Sequence, residues 1–159
     1  YSGGVIDGID GLSGGVFAVI FTSYAWIAFA QNQINLASFC PVVVGGVLAF
    51  LWFNIPPARF YMSDTGIMAL TSTLTVVAFL TNAVFVLPII ALPLVLESLS
   101  VIIQLGSKRF FGRKVFLVAP IHHHFEAIGW PAEKVVMRFW ILSIVSAIFG
   151  MILQLVSRI

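Results

Sequence analysis

Charge is scarce in this 159-residue chain, at 9% of residues, and none occurs from Gly11 to Ala58, from Thr65 to Leu96 or from Phe139 to Ser157. So little charge, with 60% apolar residues, excludes a soluble domain and marks a membrane protein. Cysteine is almost absent. Cys40 stands alone in an apolar run, which rules out a disulfide framework and a thiolate metal site. Alternating apolar and polar positions are missing too, so a β-barrel is excluded in favour of helices. There is no P-loop, dinucleotide fingerprint or EF-hand spacing, no internal repeat and no low-complexity tract. A net charge of +2 gives no reason to expect a nucleic-acid partner. The chain has no initiator Met and no signal peptide and opens on a polar motif, so the expectation is a piece of something longer.

What is present is an all-α integral membrane domain. A span needs about 20 mostly apolar residues, and the chain reads as five, at roughly 12–30, 36–53, 65–81, 84–105 and 135–157. Pro88 and Pro93 predict a bend in the fourth. Basic residues concentrate in cytoplasmic loops. Arg59, Lys108, Arg109, Arg113, Lys114, Lys134 and Arg138 all fall on one side of this five-span arrangement, and Arg158 alone on the other. The expected location is a plasma membrane crossed several times, with the polar motifs on the cytoplasmic face.

Three polar knots share that face. In Asp7-Gly8-Ile9-Asp10-Gly11 the aspartates are three apart, which puts both carboxylates on one side if the segment is helical. The glycines let a nucleotide or hydrated cation approach the backbone. A glycine-rich turn whose aspartates cap the first span explains the same residues. Asn54 through Asp64 contains Pro56 and Pro57 and reads as a shaped loop. Asp64 could hold Mg²⁺, which uses one or two carboxylates plus water and phosphate, or could cap the next helix. Tyr61 could stack on a base or anchor at the interface. His122, His123 and His124 cannot all point one way, because neighbouring side chains diverge. Beside a diphosphate, imidazoles can donate hydrogen bonds or stabilise developing charge. Lys108 through Lys114 surround Phe110 and Phe111, a composition suited to lipid headgroups. Glu97 lies inside the fourth span, about 12 Å from its cytoplasmic end. It is either a functional intramembrane carboxylate or a buried hydrogen-bonded contact between helices.

Ala119 through Glu126, followed by Gly129-Trp130-Pro131 and Arg138-Phe139-Trp140, resembles the histidine loop of the phospho-N-acetylmuramoyl-pentapeptide transferases, a branch of the polyprenyl-phosphate N-acetylhexosamine-1-phosphate transferases. Asp7 through Leu12 is similar to the family's Asp-Gly-Leu-Asp-Gly-Leu segment, and Phe50 through Asn54 leading to Asp64 to its metal-binding loop. This chain has Gly4 and Ile6 where the family usually has Asn and Thr, and Tyr61-Met62-Ser63-Asp64 where it usually reads Phe-Met-Gly-Asp.

The resemblance implies the C-terminal half of a ten-span enzyme. The family's Asp-Asp pair and accompanying lysine would come from a missing N-terminal half, so the fragment alone is expected to be inactive. The implied reaction moves phospho-MurNAc-pentapeptide from UDP-MurNAc-pentapeptide to undecaprenyl phosphate, forming lipid I and UMP with Mg²⁺ as cofactor. By resemblance Asp64 binds the metal, and Asp64, His122, His123 and His124 are catalytic. Asp7, Gly8, Ile9, Asp10 and Tyr61 hold the uridine end, and Asn54 supports the metal loop beside the substrate. Membrane lipid is a partner, and the resemblance allows a homodimer. A sister GlcNAc-1-phosphate transferase and a non-enzymatic transporter or scaffold are the rival readings.

Overall fold

The computed structural model describes residues 2–157; Arg158, expected alone on the far side, lies outside the described residues. The regular structure there is helical throughout: α1 (Ser2–Ile6), α2 (Leu12–Ala30), α3 (Ile34–Asn54), α4 (Ser63–Leu80), α5 (Leu87–Ile90), α6 (Leu92–Phe111), α7 (Ile121–Ala127) and α8 (Ala132–Val156). Helices α2, α3, α4 and α8 are long and apolar enough to cross a membrane.

The stretch expected as a single fourth span, 84–105, is instead two helices. Each of α5 and α6 carries a proline in its first turn, Pro88 and Pro93, and the chain breaks between them at Ala91. A proline lacks an N–H and crowds the preceding turn, so it starts a helix more readily than it continues one. Helix α6 also runs past 105 to Phe111 and stops at Gly112, whose φ of 67° is a left-handed cap.

Contacts at the two ends fix the course of the chain. At one end Gln31 donates to Thr81 O at 2.8 Å, Gln33 to Leu80 O at 3.1 Å and the Tyr24 hydroxyl to Ala83 O at 3.0 Å. At the other, Gly11 N donates to Asn54 Oδ1 at 3.0 Å and Trp140 Nε1 to Gly11 O at 3.2 Å. Together α5 and α6 therefore carry the chain back to the end where the three polar knots meet.

Helix α2 is the hub, buried along most of its length against α3 and α8. Lipid tails are as apolar as the side chains, so association in a bilayer rests on close packing around small residues. Gly15 sits directly under the Trp140 ring, and Gly150 under Ile90; a methyl group at either would collide. The outward faces of α3, α4 and α8 are apolar, with Trp52 76% exposed and Phe79 and Phe149 bare, as suits lipid-facing helices.

Helix α6 has the reverse pattern. Its buried face carries Glu97, Ser100, Gln104 and Ser107, while Leu99, Ile102, Ile103 and Leu105 face outward. Irregular backbone is tolerated at membrane depth only where protein satisfies its polar groups, and this stripe does so for the segment after Gly112. Ser107 Oγ donates to Arg113 O at 2.8 Å. Gln104 Oε1 accepts from Val115 N at 3.1 Å and Phe116 N at 3.0 Å, and its Nε2 donates to Phe116 O at 2.8 Å. The segment thus runs back down α6 and delivers α7 to Glu97, about 15 Å along the axis from Ser107.

Gln104→Leu removes all three of these bonds while keeping the helix apolar outside. The expected result is faster amide exchange at Val115 and Phe116, with about 1–3 kcal/mol lost for each buried group left unpaired. Unchanged exchange there would show that the strap is held by something else.

Candidate functional site

Residues 7–11 form a turn between α1 and α2, which corrects the helical alternative for the two aspartates. Their carboxylates take separate partners. Asp7 Oδ1 accepts from Ser13 Oγ at 2.6 Å and Asp10 Oδ2 from Ala58 N at 3.0 Å. Nor do they cap α2, whose N-cap is Gly11 at φ 80° with no side-chain bond. Gly11 can adopt that angle because it has no Cβ.

Asn54 ends α3 rather than opening the loop, and it is buried. Its Oδ1 accepts from Gly11 N, and its Nδ2 donates to Phe60 O at 3.0 Å. The amide spans the first and second knots, so Asn54 joins two loops inside the protein. Ile9 is likewise buried and packs in the core, leaving Gly8 as the exposed point of the turn.

The capping alternative for Asp64 also fails. Helix α4 has Met62 as N-cap and no side-chain cap bond, and Asp64 is exposed in the first turn. The residue before it, Ser63, has φ 57°, a left-handed angle that favours glycine. This gives a conformational reason for the glycine that the related motif usually carries at that position.

The histidines occupy a short helix, α7, where the rings of His122 and His123 lie 4.2 Å apart and His124 turns away from them. His122 is fully buried, with Nδ1 2.9 Å from Glu97 Oε2, which is buried as completely. His123 Nδ1 lies 2.6 Å from Glu126 Oε2, and both side chains are partly exposed. His124 Nδ1 accepts from Leu117 N at 3.3 Å, and its ring meets Phe116 edge-on. Behind them Phe125 stacks on Trp130 at 4.9 Å, and Arg138 and Lys134 lie over the same indole at 4.1 and 4.8 Å. These cations brace the corner between α7 and α8.

A cavity of about 520 Å³ gathers Gly8, Ile9 and Asp10 from the first knot, Pro56 and Pro57 from the second, and His123 and Glu126 from the third, with Glu133 of α8. Asp64 and Tyr61 lie elsewhere. Asp64 lines a separate cavity of about 430 Å³ with Gly4, Val5 and Thr71. Tyr61 lines an apolar groove between α3 and α4 with Phe50, Phe60 and Leu70. Among the described residues no group of three or more His, Cys, Asp or Glu could hold a metal ion.

Sequence reasoning left Glu97, Glu126 and Gln104 out of the site. An intramembrane carboxylate signalled the first, but no spacing rule pairs residues 97 and 122. Glu126 was within reach, three residues after His123 on one helix face.

Gly8 is where the first and third knots touch. A Cβ there would collide with His122 Nε2 and lie 3.2 Å from His123 Nε2. Gly8→Ala is therefore expected to cost about 1–3 kcal/mol of stability by overpacking. Gly4→Ala, with nothing within 4 Å of the added methyl, is the control and should be neutral or slightly stabilising. Equal melting temperatures for the two variants would contradict the contact.

Residues 4–82 match the family model described as glycosyl transferase family 4. The phospho-N-acetylmuramoyl-pentapeptide-transferase of Geobacillus kaustophilus is 44% identical over 148 residues, covering 93% of this chain and 46% of that protein. The protein of the same name from Geobacillus thermodenitrificans is 43% identical over the same shares. That from Rubrobacter xylanophilus is 42% identical over 147 residues, 92% of this chain and 44% of the relative. The chain spans about half the length of the relatives it matches. By these similarities it belongs to the phospho-N-acetylmuramoyl-pentapeptide transferases within glycosyl transferase family 4.

Proposed function

We propose that this chain forms part of an enzyme that transfers phospho-MurNAc-pentapeptide from UDP-MurNAc-pentapeptide to undecaprenyl phosphate, giving lipid I and UMP for peptidoglycan synthesis. The observation that carries the reading is the meeting of the first and third knots at Gly8, in a chain whose relatives bear the transferase name. Because the chain matches about half of each relative, the reading includes a companion N-terminal half that supplies the family's Asp-Asp pair and lysine.

The knots end of the bundle is read as cytoplasmic. Seven basic residues from Arg59 to Arg138 fall at that end, which the positive-inside rule assigns to the cytoplasm. The outward apolar faces of α3, α4 and α8 would meet lipid and admit the polyprenyl chain from the bilayer. A transporter would need polar lining along several spans. Here the continuous polar stripe lies on α6, and the folded-back segment occupies it.

Phosphoryl transfer depends mainly on positioning and charge neutralisation. Asp7 and Asp10 would orient the uridine end, since carboxylates accept from ribose hydroxyls and the base N–H. His123, on the wall of the cavity it shares with Gly8, would reach the sugar or diphosphate. Asp64 suits Mg²⁺ because its carboxylate is exposed and not engaged in capping, and a site of this kind needs only one or two protein carboxylates. When bound, the ion would supply the positive charge that the diphosphate requires. Gly4 and Val5 of α1 line the Asp64 cavity and Gly8 to Asp10 of the following turn line the His123 cavity, so a donor reaching both would lie along α1.

Asp64→Asn tests the reading, in the chain completed by its companion half and assayed by UMP release dependent on undecaprenyl phosphate. Since the carboxylate makes no cap bond, the melting temperature should be unchanged. Turnover should fall by at least two orders of magnitude, about the scale of losing one electrostatic contact to the transition state. Activity within about threefold of the parent, roughly 0.65 kcal/mol of barrier, would remove Asp64 from the site.

A further inference from the structure

Hydroxyls inside the spans of this chain mostly turn back on their own helix. Thr22 donates to Ala18 O at 2.7 Å, Ser23 to Val19 O at 2.8 Å, Ser100 to Glu97 O at 2.6 Å and Ser146 to Ser143 O at 3.0 Å. Ser143, midway along α8, does not. It is fully buried, and its Oγ has no hydrogen-bond partner among the described residues. Glu97 is in the same position on α6. Its Oε2 is taken by His122 Nδ1 at 2.9 Å, while Oε1 is buried and unpartnered. Buried polar atoms are almost always paired, so two such atoms in one bundle call for a common explanation.

Contacts on either side place the two groups at one depth on facing helices. Helices α6 and α8 pack together and run in opposite directions. Toward the far end, Gly150 sits directly on Ile90. Ile90 lies seven residues before Glu97, and Gly150 seven residues after Ser143. Seven residues make nearly two turns and about 10.5 Å, so Glu97 and Ser143 stand level on the faces that meet. Across the break at Ala91 the buried row continues through Ile90, Leu94 and Glu97. Toward the knots, Phe125 meets Phe139 edge-on with ring centroids 6.3 Å apart. Phe125 is one turn beyond His122, and Phe139 one turn before Ser143. Ser98 Oγ is also unpartnered, but it is rotated by about 100° from Glu97 around α6 and lies off this row.

We propose that Glu97 and Ser143 share one buried water molecule, which ties α8 to the Glu97–His122 pair. No direct bond joins the two side chains, and a polar pair beyond hydrogen-bond reach is the setting for a bridging water. An ionised carboxylate only accepts, whereas a serine hydroxyl both donates and accepts. The water donates one O–H to Glu97 Oε1 and accepts the Ser143 hydroxyl proton, which satisfies both groups and gives the water the two partners it needs. Ser143 is then a positioning residue: through the water it holds the free oxygen of Glu97 and sets the angle at which Oε2 meets His122. This role is independent of the reaction the chain takes part in.

The test is a structure of the unmutated chain in a lipid nanodisc, at a resolution that shows ordered water, with nitrogen-15 NMR of the chain labelled at histidine. Density for one water about 2.5–3.0 Å from both Glu97 Oε1 and Ser143 Oγ is expected. Ser143 Oγ turned back on Phe139 O, with nothing bound between the helices, would overturn the proposal without recourse to any variant. Ser143→Ala removes one partner of the water and should shift the ring nitrogens of His122, assigned with His122→Asn. Ser146→Ala, whose lost hydroxyl bonds only within α8, should leave them in place. A His122 signal unmoved by Ser143→Ala, or moved as far by Ser146→Ala, would contradict the link.

Discussion

A carboxylate shut away from solvent inside a membrane has to find its partner within the protein, and Glu97 finds His122. Leaving one member of a buried charged or hydrogen-bonded pair without the other costs several kcal/mol, so the contact constrains everything between them. It requires the chain after α6 to turn at Gly112 and run back along the helix it has just left. Gln104 and Ser107 make that return tolerable by meeting its backbone groups. The histidine segment is consequently a packed element of the bundle, and its short helix α7 is presented to Gly8 from below.

The same constraint explains why α6 looks unlike the other long helices. Its polar residues face inward and its apolar ones outward, an arrangement with a physical rationale only where lipid is outside and a second polar segment is inside. Its charged residues set it apart from α2, α3, α4 and α8, since Glu97, Lys108 and Arg109 lower its hydropathy. The far-end contacts of Gln31, Gln33 and Tyr24 nevertheless require it to make the return crossing.

Much of this architecture was legible in the sequence. Uncharged runs located α2, α3, α4 and α8 to within a few residues, and the two prolines marked the break between α5 and α6. That three consecutive histidines cannot all point one way followed from side-chain geometry alone: His122 and His123 both present Nε2 to Gly8, and His124 turns to Leu117 and Phe116. The partners themselves were hidden, because Glu97 meets His122 across 25 positions that no periodicity connects. Asn54 was taken with the loop that follows it, because Pro56 and Pro57 dominate that stretch; α3 runs on through it and ends there. Asp64 and Tyr61 are close in sequence and yet face different cavities, since the left-handed Ser63 swings the chain between them.

The claim that Glu97 and His122 form one buried unit is tested most directly by a double-mutant cycle on unfolding free energy in detergent, using Glu97→Leu, His122→Leu and the pair. The account predicts strong coupling: each single variant strands a buried polar partner, so the double variant should lose clearly less than the two losses added together, by more than about 1 kcal/mol. Losses that add to within about 0.5 kcal/mol would contradict it, and the histidine segment would then be held on α6 by other contacts.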